Sequence, residues 1–100
     1  MLKHVVLFKL KSSEGGRTRE ENLLDLRGRL EALPGSVPGI LRFEVGANMN
    51  PSSQACDLAL YSEFEDLMGL VAYQKHPAHQ EVVTFVNQVC ESRHVVDWEG

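Results

Sequence analysis

The sequence predicts an α+β fold of ferredoxin-like order, βαββαβ, with a four-stranded antiparallel sheet and its helices on one face. Three observations carry that expectation. Two helical regions repeat apolar residues every three or four positions, and four stretches rich in β-branched and aromatic residues flank them in the order strand, helix, strand, strand, helix, strand. The first, third and fourth strands are apolar on both alternating faces, which suits a sheet covered on both sides. One hundred residues supply only one layer of helices. The remaining face would exceed the apolar patch that a monomer tolerates, so a second copy of the chain is expected to cover it, as a symmetric homodimer with sheets face to face.

Leu2 to Leu10 opens the chain as a strand, with Leu2, Val6, Phe8 and Leu10 on one side and Val5 and Leu7 on the other. Ser12-Ser13-Glu14-Gly15-Gly16 then reads as a loop. Thr18 starts a helix, because Glu21 three residues later completes a Thr-x-x-Glu capping box. Leu23, Leu26, Leu30 and Leu33 form its apolar stripe, and Pro34-Gly35 stops it. A second strand is expected from Ile40 to Val45, with Leu41, Phe43 and Val45 on one side. Asn48 to Ser53 has turn composition, and Cys56 to Phe64 makes the third strand. Glu65 and Asp66 suit the first turn of a helix whose apolar side holds Leu67, Leu70 and Val71. His76 precedes a proline and is pushed out of the α region, so this helix breaks there and restarts with Pro77 at its first position. The restarted helix carries Val82, Phe85, Val86 and Val89, and Arg93 to Trp98 alternates as the closing strand.

Composition narrows the function classes. A 43% hydrophobic and 24% charged content is that of an ordinary globular protein, and residues 1–100 read as one domain. No run approaches the roughly 20 apolar residues of a membrane span. Met1-Leu2-Lys3-His4 passes directly into a strand pattern without a secretory signal, and a cytoplasmic location is expected. Cys56 and Cys90 stand far apart in apolar contexts and read as small buried hydrophobes in a reducing compartment, with a disulfide or redox pair as the alternative. Residues 1–29 hold seven of the ten Lys and Arg, but interleaved with Glu20, Glu21 and Asp25. That pattern is a solvated helix face and not a phosphate-binding stripe, so no nucleic-acid partner is expected.

Chemistry-bearing residues concentrate in Tyr73-Gln74-Lys75-His76-Pro77-Ala78-His79, a phenol and two imidazoles within seven positions. Tyr and His are suited to moving protons near neutral pH. Tyr73 and His79 flank the helix break and can face one cavity between helices and sheet. The competing reading is packing: Tyr73 lies against the sheet and His79 bonds a backbone carbonyl. His76-x-x-His79 has workable spacing for zinc, but no Cys or carboxylate completes a ligand set, and no metal is expected. Asp97 and His79 with Ser62 or Ser92 lack the nucleophile-elbow context of a hydrolase.

The opening Lys3-His4-Val5-Val6-Leu7-Phe8-Lys9, the segment Tyr73-x-x-His76-Pro77-Ala78-His79 and the closing Val95-Val96-Asp97 together resemble the stress-responsive α/β-barrel (Dabb) domain family, over nearly the entire chain. The resemblance implies a dimeric α+β barrel. It also implies, by similarity to a plant polyketide cyclase of the family, olivetolic acid cyclase, an acid/base pair at Tyr73 and His79. His4 and Asp97 match further polar residues of the cyclase pocket and are the expected substrate contacts, while the place of His4 within a strand by itself reads first as that of a hydrogen-bonded core histidine. His76 is expected as a hinge before proline, with substrate contact as its second role. Leu58 stands where the cyclase has another pocket histidine, and the first helix offers leucines in place of an aromatic wall, so the cyclase's own substrate does not carry over. Relatives that hold a cation on backbone carbonyls do so at the stretch corresponding to Leu30 to Ser36.

Two function classes follow. One is a small enzyme without cofactor, a cyclase, isomerase or lyase acting on a carbonyl compound. The other is a non-catalytic homodimer that binds a small apolar ligand or accumulates under stress. An open cavity reached by both Tyr73 and His79 marks the first; a cavity filled by Leu23, Leu26 and Phe85 marks the second.

Overall fold

The computed structural model describes all 100 residues. Strand β1 (Leu2–Leu10) leads through a two-stranded ribbon, β2 (Ser13–Glu14) and β3 (Arg17–Thr18), into helix α1 (Arg19–Glu31) and a short helix α2 (Leu33–Ser36). Strands β4 (Arg42–Ala47) and β5 (Leu58–Phe64) precede helices α3 (Leu67–Lys75) and α4 (Pro77–Val89), and β6 (Cys90–Glu99) closes the chain. The four long strands form one sheet in the order β4-β5-β1-β6, antiparallel at every pairing. This is the expected ferredoxin-like α+β arrangement, with β1 and β5 central.

Local chemistry explains most boundaries. Thr18 caps α1: its hydroxyl accepts from the Glu21 N–H at 3.2 Å, and the Glu21 carboxylate accepts from the Thr18 N–H at 3.0 Å. The stretch expected as a loop contains instead the β2-β3 ribbon, closed by Gly15 and Gly16 at φ of 64° and 76°. A two-residue hairpin of the primed type needs positive φ at both central positions, so Gly-Gly was its signal. Buried Asn22 ties α1 to this ribbon by donating to the Glu14 carbonyl at 3.2 Å. Leu33 is buried as expected but belongs to α2, where Pro34 opens a further helical turn and does not simply end the first helix.

Strand β5 starts at Leu58 and not at Cys56. Asp57 turns its carboxylate onto the Leu10 N–H at 2.7 Å and closes the end of β1 before the ladder begins. The thiol of Cys90, at the junction of α4 and β6, is pushed up to about 11 by burial, and both cysteines are unpaired.

The core lies between the sheet and the helices. Leu2, His4, Val6, Phe8 and Leu10 of β1 alternate inward, beside Leu58, Leu60, Ser62 and Phe64 of β5, and meet Leu26, Leu30, Leu70, Val82 and Val86 from the helices. Two expected core residues lie outside it. Leu41 is 56% exposed because β4 begins one residue later, and Leu67 is 58% exposed because α3 turns Leu70 and Tyr73 to the sheet. On the opposite sheet face Leu7, Val96 and Trp98 are exposed beside half-buried Val5, Ala59 and Tyr61. No helix is long and apolar enough to cross a membrane.

Candidate functional site

The break between α3 and α4 builds the site. In an uninterrupted helix, the carbonyls of Tyr73 and Gln74 would accept from residues 77 and 78. Pro77 has no N–H, and the Tyr73 carbonyl accepts from His76 at 3.2 Å instead. The Ala78 N–H is diverted to the His76 ring, whose Nδ1 accepts it at 3.1 Å and so caps α4. The Gln74 carbonyl is thereby released from the helix ladder. It accepts from His79 Nδ1 at 3.1 Å and from Gln80 Nε2 at 2.6 Å.

That bond settles the tautomer of His79. A carbonyl only accepts, so the hydrogen sits on Nδ1 and the lone pair on Nε2, which has no partner in the chain. Burial holds the imidazole below its ordinary value of 6.5; the Gln74 bond opposes the shift, and the nearby charges of His4 and Arg93 add to it. The neutral ring therefore prevails at pH 7.

Tyr73 is 1% exposed, and its ring lies 4.4 Å from that of His79 and 5.1 Å from Phe64. Its hydroxyl makes no hydrogen bond within the chain, yet no fully buried polar atom is left unpaired, so the oxygen opens on a cavity. Burial pushes this phenol far above its ordinary value, and it stays protonated at any working pH.

The cavity has a volume of about 70 Å³ and is lined by Tyr73, His79, His4, Gln74 and Arg93 among apolar walls that include Val6, Leu60 and Val86. His4 and Asp97 are cross-strand partners on β1 and β6, and His4 Nδ1 is bonded to the Asp97 carboxylate. Asp97 thus orients the His4 ring from behind and does not line the cavity itself. His76 lies outside the lining as well, its ring occupied in the cap. Three residues expected at the site, Tyr73, His79 and His4, meet in one cavity, joined by Arg93 and Gln74, which sequence reasoning missed. Arg93 faces the helix side of β6, directly opposite Phe8 in register. An arginine at an inward strand position was the available signal. No group of three or more His, Cys, Asp or Glu side chains is arranged to hold a metal ion.

A split βαβ sheet with helices on one face, holding an apolar pocket lined by two imidazoles and a phenol, defines the chain as an α+β protein of the ferredoxin-like class. Residues 2–100 match the Stress responsive A/B Barrel Domain, Dabb, and the chain belongs to that family. It is 34% identical over 80 residues, 80% of each chain, to an uncharacterised protein of Streptomyces coelicolor. A dimeric protein of ferredoxin-like fold from Bacteroides fragilis is 38% identical, with a TM-score of 0.81 over 99% of this chain and 95% of that one. The hydroxynitrile lyase of Passiflora edulis is 16% identical, with a TM-score of 0.82 over 97% and 90% of the two chains, a likeness of fold alone.

Proposed function

We propose that the chain is a small enzyme that moves a proton to and from carbon beside a carbonyl group, with His79 as base and Tyr73 as oxygen donor. His79 Nε2 takes a proton from the carbon next to the carbonyl. The C–H electron pair becomes a C=C bond while the carbonyl π pair settles on oxygen, and the Tyr73 hydroxyl donates a hydrogen bond to that enolate. Return of the proton from the imidazolium to another carbon completes an isomerisation. Attack of the enolate carbon on a second carbonyl, whose oxygen takes that proton, completes a cyclisation. His4, held by Asp97, contacts substrate, and neither step calls on an organic cofactor or a metal.

One observation carries this reading: the Gln74 carbonyl fixes the hydrogen on His79 Nδ1 and leaves Nε2 unpaired beside an unbonded Tyr73 hydroxyl. The cavity is open, and Leu23, Leu26 and Phe85, whose filling of it would mark the non-catalytic reading, are not among its lining residues. That one protein of this fold is a hydroxynitrile lyase is compatible with the class and assigns no substrate. The test is solvent-deuterium incorporation into small ketones and 3-oxo compounds, followed by NMR. Wild type should speed exchange, and H79Q should return it to the buffer rate. Exchange that is absent in wild type, or undiminished in H79Q, would sink the proposal.

The same reading includes a homodimer through the outer sheet face. Its support is the exposure of Leu7, Val96 and Trp98 on adjacent strands, together with the dimeric state of the Bacteroides fragilis relative. The unpaired Cys56 and Cys90 suit a cytoplasmic setting.

A further inference from the structure

Arg93 differs from most of the chain's arginines in its surroundings. Of the six arginines, Arg17, Arg27, Arg29 and Arg42 each lie within ion-pair distance of a carboxylate, and Arg19 and Arg93 do not. Arg19 is exposed at the start of α1 and lines none of the cavities. Arg93 instead lines the cavity that holds His4, Tyr73 and His79. No Asp or Glu is among the 13 residues of that lining, and nine of them are hydrophobic. The one carboxylate on the same face of β6 two register steps away, Asp97, is engaged by His4.

The result is a positive cavity in a chain of net charge −4. Apolar walls sharpen the field of a single unpaired cation and draw an anion to it. A guanidinium presents a planar fork that matches a carboxylate in a two-bond geometry. The space behind it, about 70 Å³, is well below the roughly 300 Å³ at which pockets for drug-sized ligands begin, so the ligand is short. Arg93 lies on the edge strand and is exposed, while His79 is half-buried and Tyr73 buried. A molecule that satisfies both carries its charge at one end and its reacting carbonyl at the other.

We infer that Arg93 is the anion anchor of this site, and that the substrate class is a short oxo acid whose carboxylate pairs with Arg93 while its carbonyl reaches Tyr73 and His79. This assignment rests on the carbonyl chemistry proposed above and adds to it the charge and size of the substrate.

The test compares acetoacetate with pentane-2,4-dione, which has the same chain and a methyl ketone in place of the carboxylate. Affinities are measured by calorimetry on the wild-type protein and on R93M, R93K and R19M. Wild type should bind acetoacetate about 10-fold or more tightly than the diketone, the scale of one charge-assisted hydrogen bond. R93M should erase that preference, R93K should keep part of it, and R19M should leave it intact. Added salt should weaken acetoacetate and leave the diketone unchanged. Equal affinities in wild type, a preference that survives in R93M, or failure of both compounds to bind overturns the assignment. Deuterium exchange read in parallel separates the two proposals. Diketone exchange through His79 with no preference for the acid removes only the anchor, and tight acid binding without exchange removes only the chemistry.

Discussion

Replacing Tyr73 by Phe removes one oxygen from the site and nothing else. The ring is 1% exposed and packs against four others, with centroid distances of 4.4 Å to His79, 5.1 Å to Phe64, 6.3 Å to His4 and 6.4 Å to Phe43. Truncation to Ala would cost about 3–5 kcal/mol, a large share of the roughly 5–15 kcal/mol that holds such a domain folded. Phe keeps every one of those ring contacts. A buried hydroxyl with a protein partner would take about 0.5–1.5 kcal/mol with it, but this hydroxyl has none. The expected loss is therefore under about 0.5 kcal/mol, or less than roughly 4 °C in Tm for a chain of this length.

Activity should respond very differently. If the Tyr73 hydroxyl faces the developing enolate oxygen, its removal should slow exchange about 100-fold to 1000-fold, the usual effect of deleting one oxyanion donor. The assay pairs a thermal melt with deuterium exchange on the same preparation of Y73F. A stability loss above about 1.5 kcal/mol would mean the hydroxyl is a structural hydrogen-bonder. An exchange rate close to wild type would mean that it touches no reacting oxygen. Either result refutes the role assigned to it.

Burial keeps His79 neutral below its ordinary value of 6.5, so the acid limb of the exchange-rate profile should lie below pH 6.5; a limb at or above that value contradicts the assignment. The same depressed value makes the unfolded chain bind its proton first, so stability falls as pH drops from about 6.5 toward the folded value, and H79Q should flatten that part of a denaturation-versus-pH series. Charges placed on the outer face, L7E with V96E, should convert a dimer to a monomer in light scattering; a monomeric wild type, or a double variant that stays dimeric, removes the proposed contact. T18A deletes the hydroxyl that caps α1 and should cost about 1 kcal/mol, roughly 4–8 °C, in a thermal scan, with the Glu21 return bond left as the remaining half of the box.

Where local chemistry decides, the sequence was legible. The Thr18–Glu21 box, the proline at 77 and the alternation of β1 are each written in a few neighbouring residues, and each is found in place. Where burial depends on distant elements, it was not. Leu41 and Leu67 match the apolar pattern of their segments, yet the start of β4 and the rotation of α3 leave both in solvent. The link between His4 and Asp97, 93 residues apart, needs the β1-β6 register before it can be drawn. Arg93 was missed for a related reason. On a central strand an inward arginine would be a buried charge, but β6 is an edge strand, and this residue stays exposed while it lines the cavity.

The segment from Tyr73 to His79 then reads as one device, and not as three separate reactive residues. Pro77 removes the N–H that would have continued the helix, and His76 spends its ring on the N–H of Ala78. Together they free the Gln74 carbonyl, which selects the His79 tautomer with Nε2 unpaired. Neither His76 nor Pro77 lines the cavity, yet both determine which nitrogen of His79 can accept a proton there. The spacing Tyr-x-x-His-Pro-x-His therefore has a physical reason. A phenol on the last turn of one helix and an imidazole on the first turn of the next share a cavity only when the chain between them breaks at this point, and the carbonyl released by the break is what holds the imidazole ready.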